Sequence, residues 1–337
     1  GAFVVANPYA LLDLAAFRDG LQHQADAADD ALGKLGLTQS SGHLYYLWTL
    51  TWGLGWVPLV AGVVGLGLLA ADDRRALLVL GPAPILFVLY MGTQGRFFGR
   101  WLLPIFPIAC LLGAYAIVRL TQLAGRRAPA LVPALAVLGA VVLLGQGIVY
   151  SLHSAMTLSR ADTRNTARRW LVDNVAANTK IVVEPVVPDA WASDIGRPNH
   201  GTANGARWSK FPTSRSNIAE DGSLIPGPGR IVNIEDYERT LYPALIEQYI
   251  DRGYCWVVVG STQRGRAEAQ PDVVPRAIAY YRELEHRATL VHEDSPYRKG
   301  AKPVKFNFDW TFDFYPLAYR RPGPVMQLYR LRGGKCG

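Results

Sequence analysis

The sequence predicts a membrane α-helical bundle of four transmembrane helices followed by an extracytoplasmic α/β domain. Three observations predict it. Half of the 337 residues are hydrophobic, and those between 44 and 152 gather into four apolar runs with charge confined to short clusters. From residue 159 onward charges are spread throughout, as in a water-facing domain. That second stretch alternates amphipathic helical patterns with short apolar segments, the pattern of helices covering a sheet.

The chain opens on "GAFVVANPYALLD". Asn7 and Pro8 read as the N-cap and first position of a helix, because Pro fits the first turn and Asn accepts from free amides. Leu11, Leu14, Phe17 and Leu21 then recur at helical spacing, with Asp13, Arg18 and Asp19 on other faces. An amphipathic helix lying on the outer membrane surface is expected. The preceding "GAFVVA" reads as the last turns of a membrane helix, which makes the chain a fragment; a processed terminus is the alternative. Residues 1–43 therefore form one segment, 44–152 the bundle and 153–337 the outer domain.

A hydrocarbon core needs roughly 20 apolar residues in helix. Four runs meet this, at about 44–70, 76–93, 101–120 and 129–152. The second is the shortest, and its internal "GPAP" should kink it or shift its start. The clusters between the runs, "ADDRRA", "TQGRFFGR" and "AGRRA", each carry two Arg, so counting charge barely orients the bundle. Aromatic residues orient it better. Tyr45, Tyr46, Trp48, Trp52, Trp56, Tyr90, Trp101 and Tyr150 all fall on one side if the helices alternate. The bare Arg turns are placed in the cytoplasm, so the "TQGRFFGR" loop and the C-terminal domain face outward from the cytoplasmic (plasma) membrane. An inverted topology is the alternative.

The net charge of +8 is spread along the chain without a dense basic stripe, which argues against a nucleic-acid partner. The six His, at 23, 43, 153, 200, 286 and 292, lack metal-ligand spacing, so no metal site or cofactor is expected in this chain. "GPGR" (227–230) reads as a turn before the strand "RIVNI".

In the outer domain, "TRNTARRWLVDNVAANTKIVVEPVV" reads as a helix with Ala167, Trp170, Leu171 and Val175 inward, then a strand. Two further helix–strand units follow, "EDYERTLYPALIEQYIDRGYCWVVVG" and "VPRAIAYYRELEHRATLVHE", suggesting parallel strands. Segments near 303–314 and 325–332 should pair as an antiparallel edge, and 197–217 reads as a long loop. Cys255 and Cys336 are an even pair in a domain where oxidation is allowed; they could bridge, but sequence supplies no distance.

"NPYALLD", "RWLLPIFP" and the closing "FNFDWTFDFYPLAYRRPGPVMQLYRL", in this order, resemble the C-terminal portion of polyprenyl-phosphate-sugar-dependent membrane glycosyltransferases of the GT-C type. Protein O-mannosyltransferases and lipid A aminoarabinose transferases are relatives within that superfamily. The resemblance covers nearly the whole chain. It implies inverting transfer of a sugar from a polyprenyl-phosphate carrier to an extracytoplasmic protein, lipid or glycan acceptor, next to membrane lipid. It also implies catalytic acidic residues in a first external loop, which has no counterpart here. The catalytic residues are accordingly unknown and expected upstream, and a divalent metal belongs, if anywhere, to the full-length protein.

A lipid phosphate at a membrane surface needs cations that stay charged where water is scarce, and Arg binds two phosphate oxygens without deprotonating. Arg96 and Arg100, four apart in the outward turn and so able to share a helical face, are the candidate contacts to the carrier phosphate, with Gln94 as a neutral partner. Ordinary snorkelling to headgroups is the alternative. Phe97, Phe98 and Trp101 could hold an isoprenoid chain or form an interfacial belt. Tyr9, Asp13 and His43 are candidate substrate contacts, and His153 lies near the same surface. The rival function is a non-enzymatic membrane-anchored protein whose outer domain binds a ligand or partner. A transporter is weaker, because runs two to four lack charge near mid-span.

Overall fold

The structure, a computed structural model, describes residues 7–29, 35–36, 41–95, 97–185, 207–214, 232–233, 237–307 and 315–337. The "GAFVVA" opening and the "GPGR" turn lie outside them. The chain divides into two compact units, residues 1–34 with 39–148, and residues 35–38 with 149–337.

The first unit begins with α1 (Tyr9–Leu12) and α2 (Leu14–Asp29). The N-cap of α1 is Pro8, which has no side-chain acceptor, and Asn7 contributes its carbonyl to the Ala10 amide. The expected Asn7 cap is thus corrected. Capping falls to Asp13, where the helix breaks, and its carboxylate accepts from the Ala16 amide as α2 starts. Leu11, Leu12, Leu14 and Leu21 are all exposed, an apolar surface suited to lipid.

Four stretches are long and apolar enough to cross a membrane: Gly42–Asp72, Arg74–Gly92, Gly99–Gly125 and Pro129–Asn174. The first comprises α3 (Gly42–Leu50), a π-helical turn (Thr51–Gly55) and α4 (Trp56–Asp72). The second comprises α5 (Arg74–Leu80) and α6 (Pro82–Gly92), divided at Gly81 where the "GPAP" prolines remove helix donors. A 3₁₀ turn (Gly99–Ile105) leads into α7 (Phe106–Gly125), and the fourth stretch contains α8 (Val132–Leu158). This last helix runs past residue 152 because His153 and Thr157 are buried in protein while Leu152 and Met156 continue its exposed apolar face. Leu78, Val79, Val137 and Val141 are also exposed, apolar surfaces that lipid would cover without cost.

The π-turn splits the Trp48, Trp52, Trp56 stripe. Trp48 and Trp52 meet edge to face at 5.5 Å, whereas Trp56 lies beyond the turn and is exposed. The turn also frees two backbone groups, and Gln146 of α8 takes both. Its Oε1 accepts from the Trp56 amide at 3.0 Å, and its Nε2 donates to the Thr51 carbonyl at 3.2 Å. Gly55, at φ +110°, adopts a conformation that a side chain would strain.

Small residues let α4 and α7 approach closely. The Gly62 position lies 3.3 Å from the Ala109 carbonyl, and Gly65 sits directly against the Leu112 carbonyl. At one end of this crossing Asp72 accepts from Arg119 Nε at 2.6 Å, from Arg119 Nη2 at 2.7 Å and from the Tyr115 hydroxyl at 2.7 Å. Asp73 next to it caps α5 through the Arg75 and Ala76 amides.

The second unit continues with α9 (Thr163–Asn174), β1 (Lys180–Val183), β2 (Ser209–Lys210), β3 (Thr213–Ser214) and β4 (Val232–Asn233). Next come α10 (Tyr237–Thr240), α11 (Ala244–Asp251), β5 (Trp256–Gly260), α12 (Ser261–Ala269) and α13 (Pro275–Arg287). The strands β6 (Ala288–Asp294) and β7 (Met326–Leu331) complete it. The main sheet has the order β2-β1-β5-β7-β6. β1 runs parallel to β2 and β5, with Ile181 opposite Trp256, and β7 runs antiparallel to β5 and β6.

Two expectations are corrected here. The strand near 325–332 sits between β5 and β6 instead of at an edge, because Met326, Leu328, Tyr329 and Leu331 are buried and need cover on both sides. Residues 303–307 are not a strand, and 308–314 lie outside the described residues. Of the segment read as a long loop, 207–214 carries β2 and β3 with Trp208 and Phe211 buried, while the rest of 197–217 lies outside the described residues.

Strand alternation distributes the core. Val257, Val259 and Tyr329 face the side packed by Leu245, Ile246, Tyr249 and Tyr280, whereas Ile181, Val258 and Leu328 face Ala167 and Leu171 of α9. β5 is therefore apolar at successive positions, as a strand buried on both faces must be. Leu35 packs in the first of these clusters and the Gly36 amide donates to Gln270 Oε1 at 2.8 Å. Cys255 and Cys336 form a disulfide with a Cα–Cα distance of 5.2 Å, joining the start of β5 to the last turn of the chain.

Replacing Gln146 by Leu removes the partner of the Trp56 amide and of the Thr51 carbonyl at once, in a stretch where lipid offers no substitute. We expect a loss of about 2–5 kcal/mol of stability, read as a lower unfolding midpoint in detergent; an unchanged midpoint would show that the π-turn satisfies itself.

Candidate functional site

The beginning of α3, the end of α6 and the 3₁₀ turn converge at one end of the bundle. They do so through glycine: Gly42 lies against the Gly92 carbonyl and the Phe97 ring, and Gly92 lies against the His43 imidazole. Tyr45 and Phe97 pack with ring centroids 5.4 Å apart, and Tyr45 meets Tyr46 edge to face at the same distance. Tyr45, Tyr46 and Phe97 are all buried, so these aromatics form a packed plug instead of a belt.

Around that plug stand the expected phosphate and substrate contacts. The His43 ring donates from Nε2 to the Leu89 carbonyl at 3.1 Å, which fixes the proton there. The Gln94 amide bonds the Tyr90 carbonyl and Thr93 Oγ1, both at 3.4 Å, closing the end of α6. Arg100 is exposed, and its guanidinium lies over the Phe98 ring at 4.4 Å, a cation–π geometry. Phe98 in turn meets Trp101 edge to face at 4.9 Å. Arg96 lies outside the described residues. The expected shared helical face of Arg96 and Arg100 is corrected, because Phe98 is extended and helical geometry begins only at Gly99.

Tyr9 and Asp13 stand on the separate α1–α2 segment. Tyr9 is exposed, and Asp13 is occupied as the cap of α2. His153, in the second unit, is buried and donates to the Pro316 carbonyl at 2.9 Å. Cys255 and Cys336, being bridged, have no thiol chemistry to offer.

An apolar groove of about 340 Å³ opens between the first three membrane stretches. Leu47, Leu54 and Val63 line it from the first, Ile85 and Val88 from the second, and Ala109 from the third. Leu89, whose carbonyl holds His43, also lines it, so the groove begins next to the polar end of the bundle.

The second unit holds a buried group that composition does not reveal. Glu184, at the C-terminal end of β1, is fully buried; its carboxyl accepts from the Gly260 amide at 2.8 Å and from the Tyr281 hydroxyl at 2.7 Å. Burial pushes its pKa up to about 8, against the opposing pull of those two hydrogen bonds. The sequence signal for it was an acidic residue inside the apolar run "KIVVEPVV". Glu184 sits at the carboxyl ends of β1 and β5, the location at which open parallel sheets bind ligands, and its two hydrogen bonds tie β1 to the end of β5 and to α13. Among the described residues, no cluster of His, Cys, Asp and Glu could hold a metal ion.

No family model matches the chain, and no curated protein matches it. Among solved structures, it is similar to the cryo-EM structure of the arabinofuranosyltransferase AftD from mycobacteria, at 17% identity and a TM-score of 0.28, over 83% of this chain and 20% of that one. The chain thus spans about a fifth of the length of that protein. A functional reading has to stand on the residues themselves.

The raised pKa of Glu184 gives a pH signature. The folded state holds this proton more tightly than the unfolded chain, so its contribution is fully present below the ordinary carboxylate range and is lost as pH rises through about 8. Glu184→Gln copies the protonated form, accepting from Gly260 and donating to Tyr281. We expect its unfolding midpoint to fall less than that of the wild type between about pH 4 and about pH 9, a range that brackets the two pKa values; parallel curves would mean that Glu184 is ionised in the fold.

Proposed function

We propose that the chain is part of a membrane glycosyltransferase of the GT-C type that takes its sugar from a polyprenyl-phosphate carrier. The observation that carries the proposal is the pairing of an exposed arginine, Arg100 on Phe98, with an apolar groove that opens beside the same end of the bundle. An amphiphile with a phosphate head and an isoprenoid tail has those two parts in that order. The order of "NPYALLD", "RWLLPIFP" and the closing aromatic segment supports the same reading.

In this reaction an acceptor hydroxyl attacks the anomeric carbon, the bond from that carbon to the carrier phosphate oxygen breaks, and the electron pair leaves with the phosphate. The leaving phosphate gains negative charge as the bond breaks, and Arg100, with Arg96, stabilises it electrostatically. Arg suits the task because it stays charged in a poorly hydrated site. Gln94 and His43 hold the end of α6 and the start of α3 in place around it. A carboxylate acting as general base takes the acceptor proton; no residue of this chain is assigned that role, and the outer domain faces the acceptor side of the membrane.

Arg100→Gln in the full-length protein tests this. Transfer from a lipid-linked sugar should fall about a hundredfold, mainly in kcat, with the unfolding midpoint unchanged. Arg100→Lys should restore part of it, since charge is kept and the fork lost. Unchanged transfer by Arg100→Gln would remove this residue from the site.

A further inference from the structure

A second basic site lies in the other unit, where α8 ends. His153, Met156, Thr157, Arg160, Arg298, Lys299, Tyr319 and Arg320 enclose a pocket of about 230 Å³. Its walls are braced by backbone. The Arg298 amide donates to the Ala318 carbonyl at 2.9 Å, and the Arg320 amide donates to the Pro296 carbonyl at 2.7 Å. Tyr297 and Tyr319 bridge the same two segments and stack edge to face at 5.0 Å. From the helix side, Arg160 Nη1 donates to the Arg320 carbonyl at 2.8 Å, and His153 ties in Pro316.

The result is four exposed cations, Arg160, Arg298, Lys299 and Arg320, around a floor of Met156, Tyr319 and the His153 ring. Among the described residues none of the four is in an ion pair. Like charges held together this way repel, and an anion seated among them offsets that repulsion. Depth selects the anion. Leu152 and Met156 are exposed apolar residues four apart on α8, and Arg160 follows at the next step, just past the helix end at Leu158. The apolar stripe therefore gives way to charge at this pocket, which is where a bilayer gives way to headgroups.

We propose that this pocket binds the phosphate of an anionic membrane phospholipid, with the apolar floor receiving the start of the acyl region. The site depends on the four helices lying in a membrane and is independent of sugar transfer. A free phosphate shares the chemistry but has no use for the floor, and the test separates the two.

The intact chain, purified in neutral detergent, is titrated with mixed micelles containing phosphatidylglycerol or phosphatidylcholine. Phosphatidylglycerol should bind and phosphatidylcholine should not. The triple change Arg298→Gln, Lys299→Gln, Arg320→Gln should weaken binding about a hundredfold, and Arg320→Gln alone about fivefold. Folding should survive, because the braces at 298 and 320 are made by backbone; matching unfolding midpoints check this. A control set with equal charge loss elsewhere, Arg276→Gln, Arg282→Gln and Lys335→Gln, should leave affinity unchanged. Equal weakening by the two sets, or equal binding of the two lipids, overturns the proposal. So does displacement of the lipid by equimolar inorganic phosphate at constant ionic strength, which would make this a soluble-phosphate site.

Discussion

Inside hydrocarbon no water takes up an unpaired peptide group, and the bundle is organised around that constraint. The π-turn in the first membrane stretch is tolerable only because Gln146 reaches across from the fourth and supplies one acceptor and one donor. The same logic accounts for Asp72, whose two oxygens are taken by Arg119 and Tyr115 so that a carboxylate can sit at the end of a membrane helix. Where no polar group is involved, close packing substitutes. Gly62 and Gly65 let α4 lie against carbonyls of α7, and Gly42 and Gly92 do the same for α3 and α6.

That constraint also explains which parts of the fold are legible in the sequence. An apolar run of membrane length is a one-dimensional signal, so the four stretches and the break at "GPAP" can be read directly. A turn satisfied by a glutamine ninety positions away cannot, because nothing near Thr51–Gly55 announces its partner. In the second unit, helices with a clear apolar face, such as α9 and α13, are readable, whereas α12 is polar along much of its length and gives no periodic signal. The placement of β7 between β5 and β6 is a long-range choice, decided by which strand needs both faces covered. Asn7 looked like a cap from residue type alone, and the break at Asp13 moved that role six residues on.

The site was legible to a similar depth. Arg100 and Gln94 stand out as polar residues in a short turn between apolar runs, and the structure sets them at the same end of the bundle as His43. The spacing of Arg96 and Arg100 suggests a shared helical face, but a helical face requires helix, and Phe98 between them is extended. Glu184 was visible only as an acid in an apolar run; its meaning depends on Gly260 and Tyr281, which lie 76 and 97 positions away.

The arginines at the two ends of the bundle illustrate what a guanidinium offers at a membrane surface. Arg119 makes a bidentate pair with Asp72, a geometry that ties two helices together. Arg100 lies 4.4 Å from the centroid of the Phe98 ring, where the ring quadrupole attracts the cation. Both keep their charge where water is scarce, because a guanidinium does not deprotonate. Retained charge is what a phosphate needs nearby when its own negative charge grows during a reaction, and that requirement is the physical ground for placing Arg100 beside it.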